Sequence, residues 1–228
     1  MIGDLYVVST PIGNLQDISS RAIETLSDVD FIAAEDTRIT KRLLNKYSIS
    51  SKTLSFHMRN EKSKVKSIIQ LLLEGKNIAL VSDAGTPCIS DPGYILINEA
   101  RNNKINVYSI PGASSPIAAL SVSGLPSERF FFEGFLPKKK GRKKRFLYLL
   151  SMDVTIILFE SPHRLLKTLY DVYNFMGDRY VSICKEISKI NEENWFGKIS
   201  DIIPDIENIS VIKGEYIIMI AKEGYESR

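Results

Sequence analysis

The sequence predicts a protein of the α/β class, and three observations support this prediction. Short apolar runs alternate with segments of helical periodicity through the first half of the chain, and several of these runs end in turns rich in glycine and proline. Such alternation is typical of a largely parallel sheet flanked by helices. In the second half, apolar and aromatic runs follow one another with fewer crossover helices, which favours antiparallel pairing. We therefore predict two α/β domains, residues 1–112 and 113–228, with a mostly parallel first sheet and a mixed second sheet.

The elements of the first domain follow from short apolar strands and helices with one apolar face. The run LYVVS near the N-terminus predicts a buried strand rather than a signal peptide. Asp17 or Ser19 is expected to cap the first helix, and Gly75 to close the third. The predicted strands are 5–9, 31–35, 77–83 and 104–110, with a short strand or loop at 53–57; the predicted helices are 19–26, 38–47, 63–74 and 94–102.

The second domain is expected to begin after a hinge near residues 111–116. Its aromatic run ERFFFEGF and its last strands lack obvious crossover helices, which predicts antiparallel neighbours for them. The predicted strands are 128–135, 155–160, 180–186 and 215–221; the predicted helices are 114–122, 146–150 and 164–175.

Glycine- and proline-rich loops follow three strands of the first domain at their carboxyl ends. These loops read STPIGN, DAGTP and PGASSP. Because ligands of parallel α/β sheets bind outside the carboxyl ends of strands, the three loops are expected to line one crevice. Neither a Walker A loop nor a GxGxxG fingerprint is present, so a nucleotide-like ligand here need not carry phosphates.

Charged residues stand at the same predicted edge of the sheet. Asp83 is expected to contact a ligand, whereas Asp91, just before Pro-Gly, is expected to cap a helix. Two interpretations of the motif EDTR remain open. Either Asp36 or Thr37 caps the next helix, or the acidic residues face the substrate. Arg38 does not help a cap, because a cation is disfavoured at a helix N-terminus, and this favours a polyanionic partner.

A cluster of cations interrupts the second domain. Residues 138–145 read KKKGRKKR; without these seven cations, 23 basic side chains would face 27 acidic ones, whereas the whole chain carries +3. Localised positive charge of this kind favours a polyanion, nucleic acid first, over a solvated basic loop. Two distant cysteines exclude a disulfide framework and fit a reducing cytoplasm, no apolar run is long enough for a membrane span, and no metal cluster is evident.

Taken together, the motifs resemble a known family. STPIGNLQDIS, IAAEDTR, ALVSDAGTPCISDPG, PGASSPIAAL, GLPSERFFFEGFLP, ESPHRL and KGEYIIMI occur in order over nearly the whole chain. They are similar to the bacterial rRNA small subunit methyltransferase I family of the tetrapyrrole methylase superfamily. This resemblance implies two α/β domains with a cleft between them, S-adenosylmethionine as methyl donor, and a homodimer. It also implies methylation of the ribose 2′-hydroxyl of one cytidine in the decoding centre of 16S rRNA in the small ribosomal subunit.

The resemblance also implies residues for the methyl donor. These are Pro11, Ile12, Gly13, Asp83, Ala84, Gly85, Thr86, Pro87, Ser114, Ser115, Phe159, Glu160, Lys213, Gly214 and Glu215. A ribose hydroxyl is a poor nucleophile, so a base or a cation that lowers its pKa is expected near it. The candidates are Glu35, Asp36, Arg38, Glu186 and Lys189. The RNA is expected to contact Arg38, Lys138, Lys139, Lys140, Arg142, Lys143, Lys144, Arg145 and Arg164.

Two alternatives remain beside this interpretation. A tetrapyrrole C-methyltransferase would share the fold but would not need the basic segment or EDTR. A non-enzymatic RNA-binding protein would explain the basic segment but not three glycine- and proline-rich loops at one sheet edge. Longer members of the family carry an additional helical extension, so the basic segment is expected to supply more of the RNA affinity here, through phosphate contacts that do not specify sequence.

Overall fold

The structure, a computed structural model, describes residues 1–227 and divides into two compact units. Unit 1 is Met1–Ser114, and unit 2 begins at Ser115. Each unit holds one five-stranded sheet covered by helices on both faces, so the predicted α/β class is confirmed. No helix within residues 1–227 is long and apolar enough to cross a membrane.

Unit 1 contains a fully parallel sheet in the order β3-β2-β4-β1-β5. Its central strand is buried on both faces, as is typical of parallel sheets. Helices α3 and α4 cover one face, and α1 and α2 cover the other. The strands are β1 Leu5–Val8, β2 Phe31–Ala34, β3 Lys52–Ser55, β4 Ile78–Val81 and β5 Val107–Ile110; the helices are α1 Ser20–Asp28, α2 Thr37–Lys46, α3 Glu61–Leu73 and α4 Tyr94–Asn102.

Unit 2 contains a mixed sheet in the order β6-β7-β10-β8-β9. The apolar faces of α6, α7 and α8 cover one side, and α5 covers the other. The strands are β6 Phe130–Phe135, β7 Thr155–Glu160, β8 Tyr180–Lys185, β9 Glu193–Lys198 and β10 Tyr216–Ile220; the helices are α5 Ser115–Val122, α6 Arg142–Leu150, α7 Leu165–Met176 and α8 Ile199–Glu207.

The pairing of β6 corrects one prediction. β6 runs parallel to β7, whereas antiparallel pairing was expected for it. The reason is that α6 begins at Arg142, within the basic segment, and is long enough to serve as the crossover between these two strands. The expected antiparallel pairing is confirmed for β8 and β10.

The cap of α4 corrects a second prediction. Gly93 is the N-cap residue, no side chain caps the helix, and the Gly93 N–H donates to the buried Glu61 carboxylate at 2.9 Å. Asp91 therefore does not cap α4. In contrast, Ser19 caps α1 by accepting from the Ala22 N–H, and Asp36 caps α2 by accepting from the Arg38 N–H.

Candidate functional site

The loops after β1, β4 and β5 meet at the carboxyl edge of the unit 1 sheet. Thr10 and Gly85 form an isolated antiparallel bridge, in which each N–H donates to the other's carbonyl at 2.9 and 3.0 Å. The Thr86 hydroxyl donates to the Ala113 carbonyl at 3.1 Å. Its oxygen also lies 2.9 Å from the Ser9 hydroxyl, which must be the donor because Thr86 has only one hydroxyl proton. The expected convergence of these three loops is thus present within unit 1.

Two glycines allow this close approach of backbone. Gly85 has φ +81°, a conformation that side chains with a Cβ rarely adopt. A Cβ on Gly112 would stand 2.9 Å from the Ser9 Cβ, closer than such atoms approach in proteins. Larger residues at these positions would separate the loops, so both glycines define the shape of this edge.

Three carboxylates gather beside these loops, and none of them forms an ion pair within residues 1–227. The Asp36 N–H donates to Asp83 at 2.9 Å, and the Asp83 N–H lies 3.5 Å from a Glu35 carboxylate oxygen. Burial, followed by the charge of Asp83, raises the pKa of Glu35, and burial also raises the pKa of Asp83. Burial, together with the charge of Glu35, raises the pKa of Asp91 to about 6. A positive charge placed at this edge would stabilise the ionised forms of these carboxyls and lower their pKa values.

Asp36 differs from its acidic neighbours because it is fully compensated. Its carboxylate accepts from the Arg38 backbone N–H at 2.8 Å and from the Arg38 guanidinium, with Nε at 3.0 Å and Nη2 at 2.6 Å. Hydrogen bonding to the Arg38 side chain, then to its backbone, holds the pKa of Asp36 well below its usual range. The Arg38 side chain itself is 86% exposed, so it remains accessible to a partner in solution.

A second set of predicted residues shares one edge of the unit 2 sheet. β10 is antiparallel to β7 and β8, and Tyr216 at its start is in register with Glu160 and Lys185 at their ends. The loops 186–189 and 213–215 therefore stand beside the end of β7. Phe159 points to the opposite face from Glu160, where its ring contacts Phe132 and Phe135.

Glu186, Lys189 and Glu215 form a compensated cluster at this edge. The Lys189 ammonium donates to Glu186 and to Glu215, both at 2.9 Å, and the Glu215 N–H donates to Glu186 at 2.8 Å. Partial burial opposes the charge of Glu186, but hydrogen bonds from Lys189 and Glu215 outweigh it and lower the pKa. A Cβ on Gly214 would meet the Glu186 side chain at 2.6 Å, so Gly214 is required for this contact.

Glu160 is bound within unit 2 by its own neighbours. Its carboxylate is buried and accepts from the Thr168 hydroxyl at 2.6 Å and from the Ser161 N–H at 2.8 Å. Arg164 lies 3.2 Å from the same carboxylate. These partners satisfy a charge that would be costly to bury at the end of an apolar strand without them.

The basic segment, residues 138–145, divides into exposed lysines and two arginines that pair with acidic side chains of unit 2. Lys138, Lys139, Lys140, Lys143 and Lys144 are exposed, and none of them forms an ion pair within residues 1–227. Arg142 is buried and donates to Asp171 at 2.7 Å, and Arg145 donates to Glu133 at 2.6 Å. The surface that the segment offers to a polyanion is therefore smaller than its sequence indicates.

The described residues provide no cluster for a metal ion. Among residues 1–227, no group of three or more His, Cys, Asp or Glu side chains is arranged to hold one.

Asp91 is the residue of the unit 1 edge that sequence reasoning missed, because Pro-Gly after an aspartate is also typical of a helix start. No signal near Asp91 in the sequence identifies its neighbours, since Glu35 and Asp83 are on other loops.

Family comparison agrees with this fold. The tetrapyrrole (corrin/porphyrin) methylase family matches residues 4–203. A solved structure of diphthine synthase has a TM-score of 0.75 at 15% identity, covering 97% of this chain and 91% of that one. The native form of uroporphyrin III C-methyl transferase from Thermus thermophilus has a TM-score of 0.66 at 13% identity, covering 97% and 98%. The chain belongs to the tetrapyrrole methylase family.

Sequence relatives define a narrower group. A Thermotoga maritima protein named ribosomal RNA small subunit methyltransferase I is 47% identical over 222 residues, 97% of this chain and 100% of that protein. A protein of the same name from Escherichia coli O157:H7 is 44% identical over 229 residues, 99% of this chain and 79% of that protein. Within its family, this chain groups with these proteins, which confirms the resemblance found in its motifs.

Proposed function

We propose that this protein is an S-adenosylmethionine-dependent methyltransferase that modifies the ribose 2′-hydroxyl of a cytidine in the decoding centre of 16S rRNA. The observation that carries the proposal is the similarity to relatives named for small-subunit rRNA methylation, which extends over 97% of this chain. The five exposed lysines of the basic segment support a polyanionic acceptor.

The chemistry of the unit 1 edge fits the proposed methyl donor. S-adenosylmethionine supplies an activated methyl group on a positively charged sulfonium and carries no phosphate. The edge offers carboxylates that form no ion pair among the described residues and closely spaced backbone, and the loops lack a phosphate-binding fingerprint. In unit 1 the proposed donor-binding residues are Pro11, Ile12, Gly13, Asp83, Ala84, Gly85, Thr86, Pro87 and Ser114; in unit 2 they are Ser115, Phe159, Glu160, Lys213, Gly214 and Glu215.

Among the candidate catalytic residues, we propose Glu35 as the base. The ribose oxygen forms a bond to the methyl carbon while the carbon–sulfur bond breaks with its electron pair on sulfur, and the hydroxyl proton must pass to an acceptor. Burial raises the pKa of Glu35, which strengthens it as a base, whereas Lys189 lowers the pKa of Glu186 and weakens it in that role. Asp36 is similarly weakened by Arg38.

Methyl transfer from labelled S-adenosylmethionine tests this function. The acceptors are small ribosomal subunits and, in parallel, a tetrapyrrole precursor. We expect label in 16S rRNA, with resistance to alkaline cleavage at one ribose. Label in the macrocycle would instead support the tetrapyrrole C-methyltransferase alternative, and no donor binding would support a non-enzymatic RNA-binding protein.

We further propose that the protein acts as a homodimer in the cytoplasm. This proposal rests on the resemblance to the family. Light scattering of the purified protein, at concentrations that bracket those used in the transfer assay, measures the mass: we expect twice the mass of one chain.

A further inference from the structure

Two arginines hold the backbone from which the lysines of the basic segment extend. The Arg164 guanidinium donates to the Leu136 carbonyl at 2.8 Å, and the Arg142 Nη1 donates to the Pro137 carbonyl at 3.2 Å. These carbonyls immediately precede Lys138, the first exposed lysine. The start of the segment is therefore fixed from two sides.

Each arginine is in turn held by α7 or by the end of β7. Arg142 donates from Nε to Asp171 at 2.7 Å and from Nη2 to Thr168 at 2.8 Å. Thr168 donates to Glu160, which also lies 3.2 Å from Arg164. One polar network thus runs from β7 through α7 to the base of the lysine segment.

Direct contact with a phosphate is a poor explanation for Arg142. Its side chain is only 7% exposed, its guanidinium stands 5.2 Å from the centre of the Phe146 ring, and Asp171 compensates its charge. All three guanidinium nitrogens already donate to unit 2. A planar fork with fixed donors suits this internal role, which an ammonium group cannot reproduce.

We infer that Arg142 and Arg164 are positioning residues for RNA binding, and that Lys138, Lys139, Lys140, Lys143 and Lys144 make the phosphate contacts. This inference rests on the proposed function, because it assigns the same basic segment to the same RNA. It changes the expected contacts: two arginines of the predicted RNA-binding set act from inside unit 2, through the Leu136 and Pro137 carbonyls.

Asp171→Asn distinguishes positioning from direct contact by the sign of its effect. The substitution removes the negative charge of Asp171 that faces Arg142. If Arg142 contacted a phosphate directly, the variant would therefore bind RNA more tightly. If Arg142 positions the lysines, loosening it weakens binding to small ribosomal subunits by about 3- to 10-fold and lowers the slope of log K against log salt, to which each lost phosphate contact contributes about 0.9. We expect the weaker binding, with the effect on KM for subunits larger than that on kcat.

Two substitutions of Thr168, one that keeps its hydroxyl and one that removes it, separate the loss of the hydrogen bond from a general loss of folding. Thr168→Ser retains the hydroxyl and is expected to bind subunits like the wild type, whereas Thr168→Val is expected to behave like Asp171→Asn. Faster tryptic cleavage at residues 138–140 in both weakened variants would report the loosened segment directly. Lys140→Gln is the contact control, expected to lower the salt slope by about one unit without changing cleavage at the remaining lysines.

The outcomes separate this inference from the proposed function. If the wild type binds subunits but Asp171→Asn binds more tightly, Arg142 is a phosphate contact and the inference is wrong. Equal effects of Thr168→Ser and Thr168→Val would also overturn it, since the hydroxyl would then be irrelevant. If the wild type shows neither subunit binding nor methyl transfer, the proposed function itself fails.

Discussion

The two sheet edges carry similar numbers of charged side chains but treat them in opposite ways. At the unit 2 edge, Lys189 stands between Glu186 and Glu215 and neutralises much of their charge. At the unit 1 edge, Glu35, Asp83 and Asp91 lie near one another, and burial raises the pKa of each. Partly buried acidic groups that form no ion pair cost stability, and perturbed pKa values of this kind are enriched at functional sites.

The two edges therefore differ in how their acids are paired: those of unit 2 contact Lys189, whereas those of unit 1 form no ion pair among the described residues. A compensated cluster such as Glu186–Lys189–Glu215 gains stability from its own contacts and offers little charge to a ligand. An uncompensated edge gains most when a cation arrives, because the ligand then supplies the missing charge. This contrast favours Glu35 over Glu186 as the base.

Glu35→Gln is expected to have the largest effect, a decrease in the rate of turnover. The amide keeps the shape of the side chain but cannot accept the proton from a ribose hydroxyl, so kcat should fall by about 10²- to 10⁴-fold. Single-turnover transfer from labelled donor to small ribosomal subunits measures this. Because Glu35 titrates with a raised pKa, the wild-type rate should rise with pH as that carboxyl ionises.

Glu186→Gln is the matched control from the other edge. If the comparison is right, it slows turnover far less than Glu35→Gln does. The reverse order of effects would move the base to unit 2 and refute the contrast between the two edges.

Lys189→Met should turn the compensated edge into an uncompensated one. Removing the cation leaves Glu186 and Glu215 facing each other, and about 1 kcal/mol of unfolding free energy should be lost at pH 7 after allowance for solvent screening. The folded-state pKa of Glu186 is lowered, so its stabilising contribution exists above the unfolded pKa and disappears as pH falls through the folded value. The deficit of the variant should therefore shrink in acid, as urea unfolding at pH 7 and pH 3 would reveal. A deficit independent of pH would attribute the loss to packing instead.

Asp91→Asn should stabilise the protein at neutral pH. The pKa of Asp91 is raised to about 6 in the folded chain, so folding binds a proton between its ordinary value and 6, and stability falls as pH rises through that window. Asparagine does not titrate, so the variant should not lose stability as the pH rises. Its free energy of unfolding at pH 7 should be about 1 kcal/mol higher than that of the wild type, a value reduced for the partial exposure of the group. Thermal unfolding from pH 4 to pH 8 measures it. A variant less stable than the wild type at pH 7 would show that the carboxylate has a partner that compensates it.

The order of elements in unit 1 was predictable because its signals are local. Helix α4 spans Tyr94–Asn102, as the sequence predicted, since its apolar spacing lies within one segment. The loops of one sheet edge were also predictable, because parallel strands necessarily bring their carboxyl ends together. The candidate base Glu35 followed from the same rule.

The missed features depend on contacts between distant residues. Cations are disfavoured in the first turn of a helix, so the sequence did not predict that α6 begins at Arg142. In the structure, Asp171 compensates the charge of Arg142, and Glu133 compensates that of Arg145. Strand β9 and helix α8 were not predicted either. β9 has little buried surface, and Pro204 lies within α8, where proline is unfavourable. None of these compensating contacts has a signature near its own position in the sequence.

The smallest expected effect is that of Arg38→Gln, which probes the periphery of the unit 1 edge. Arg38 and Asp36 are paired at the surface, and the Arg38 side chain is 86% exposed, so the unfolding transition should be nearly unchanged. If Arg38 contacts RNA, affinity for small ribosomal subunits should fall a few-fold and the salt slope should decrease by about one unit. Arg42→Gln, at an exposed position of the same helix, is the control for a general loss of positive charge. Equal losses in both variants would indicate long-range attraction only, whereas a larger loss at Arg38 would extend the RNA-binding surface to the edge that holds Glu35.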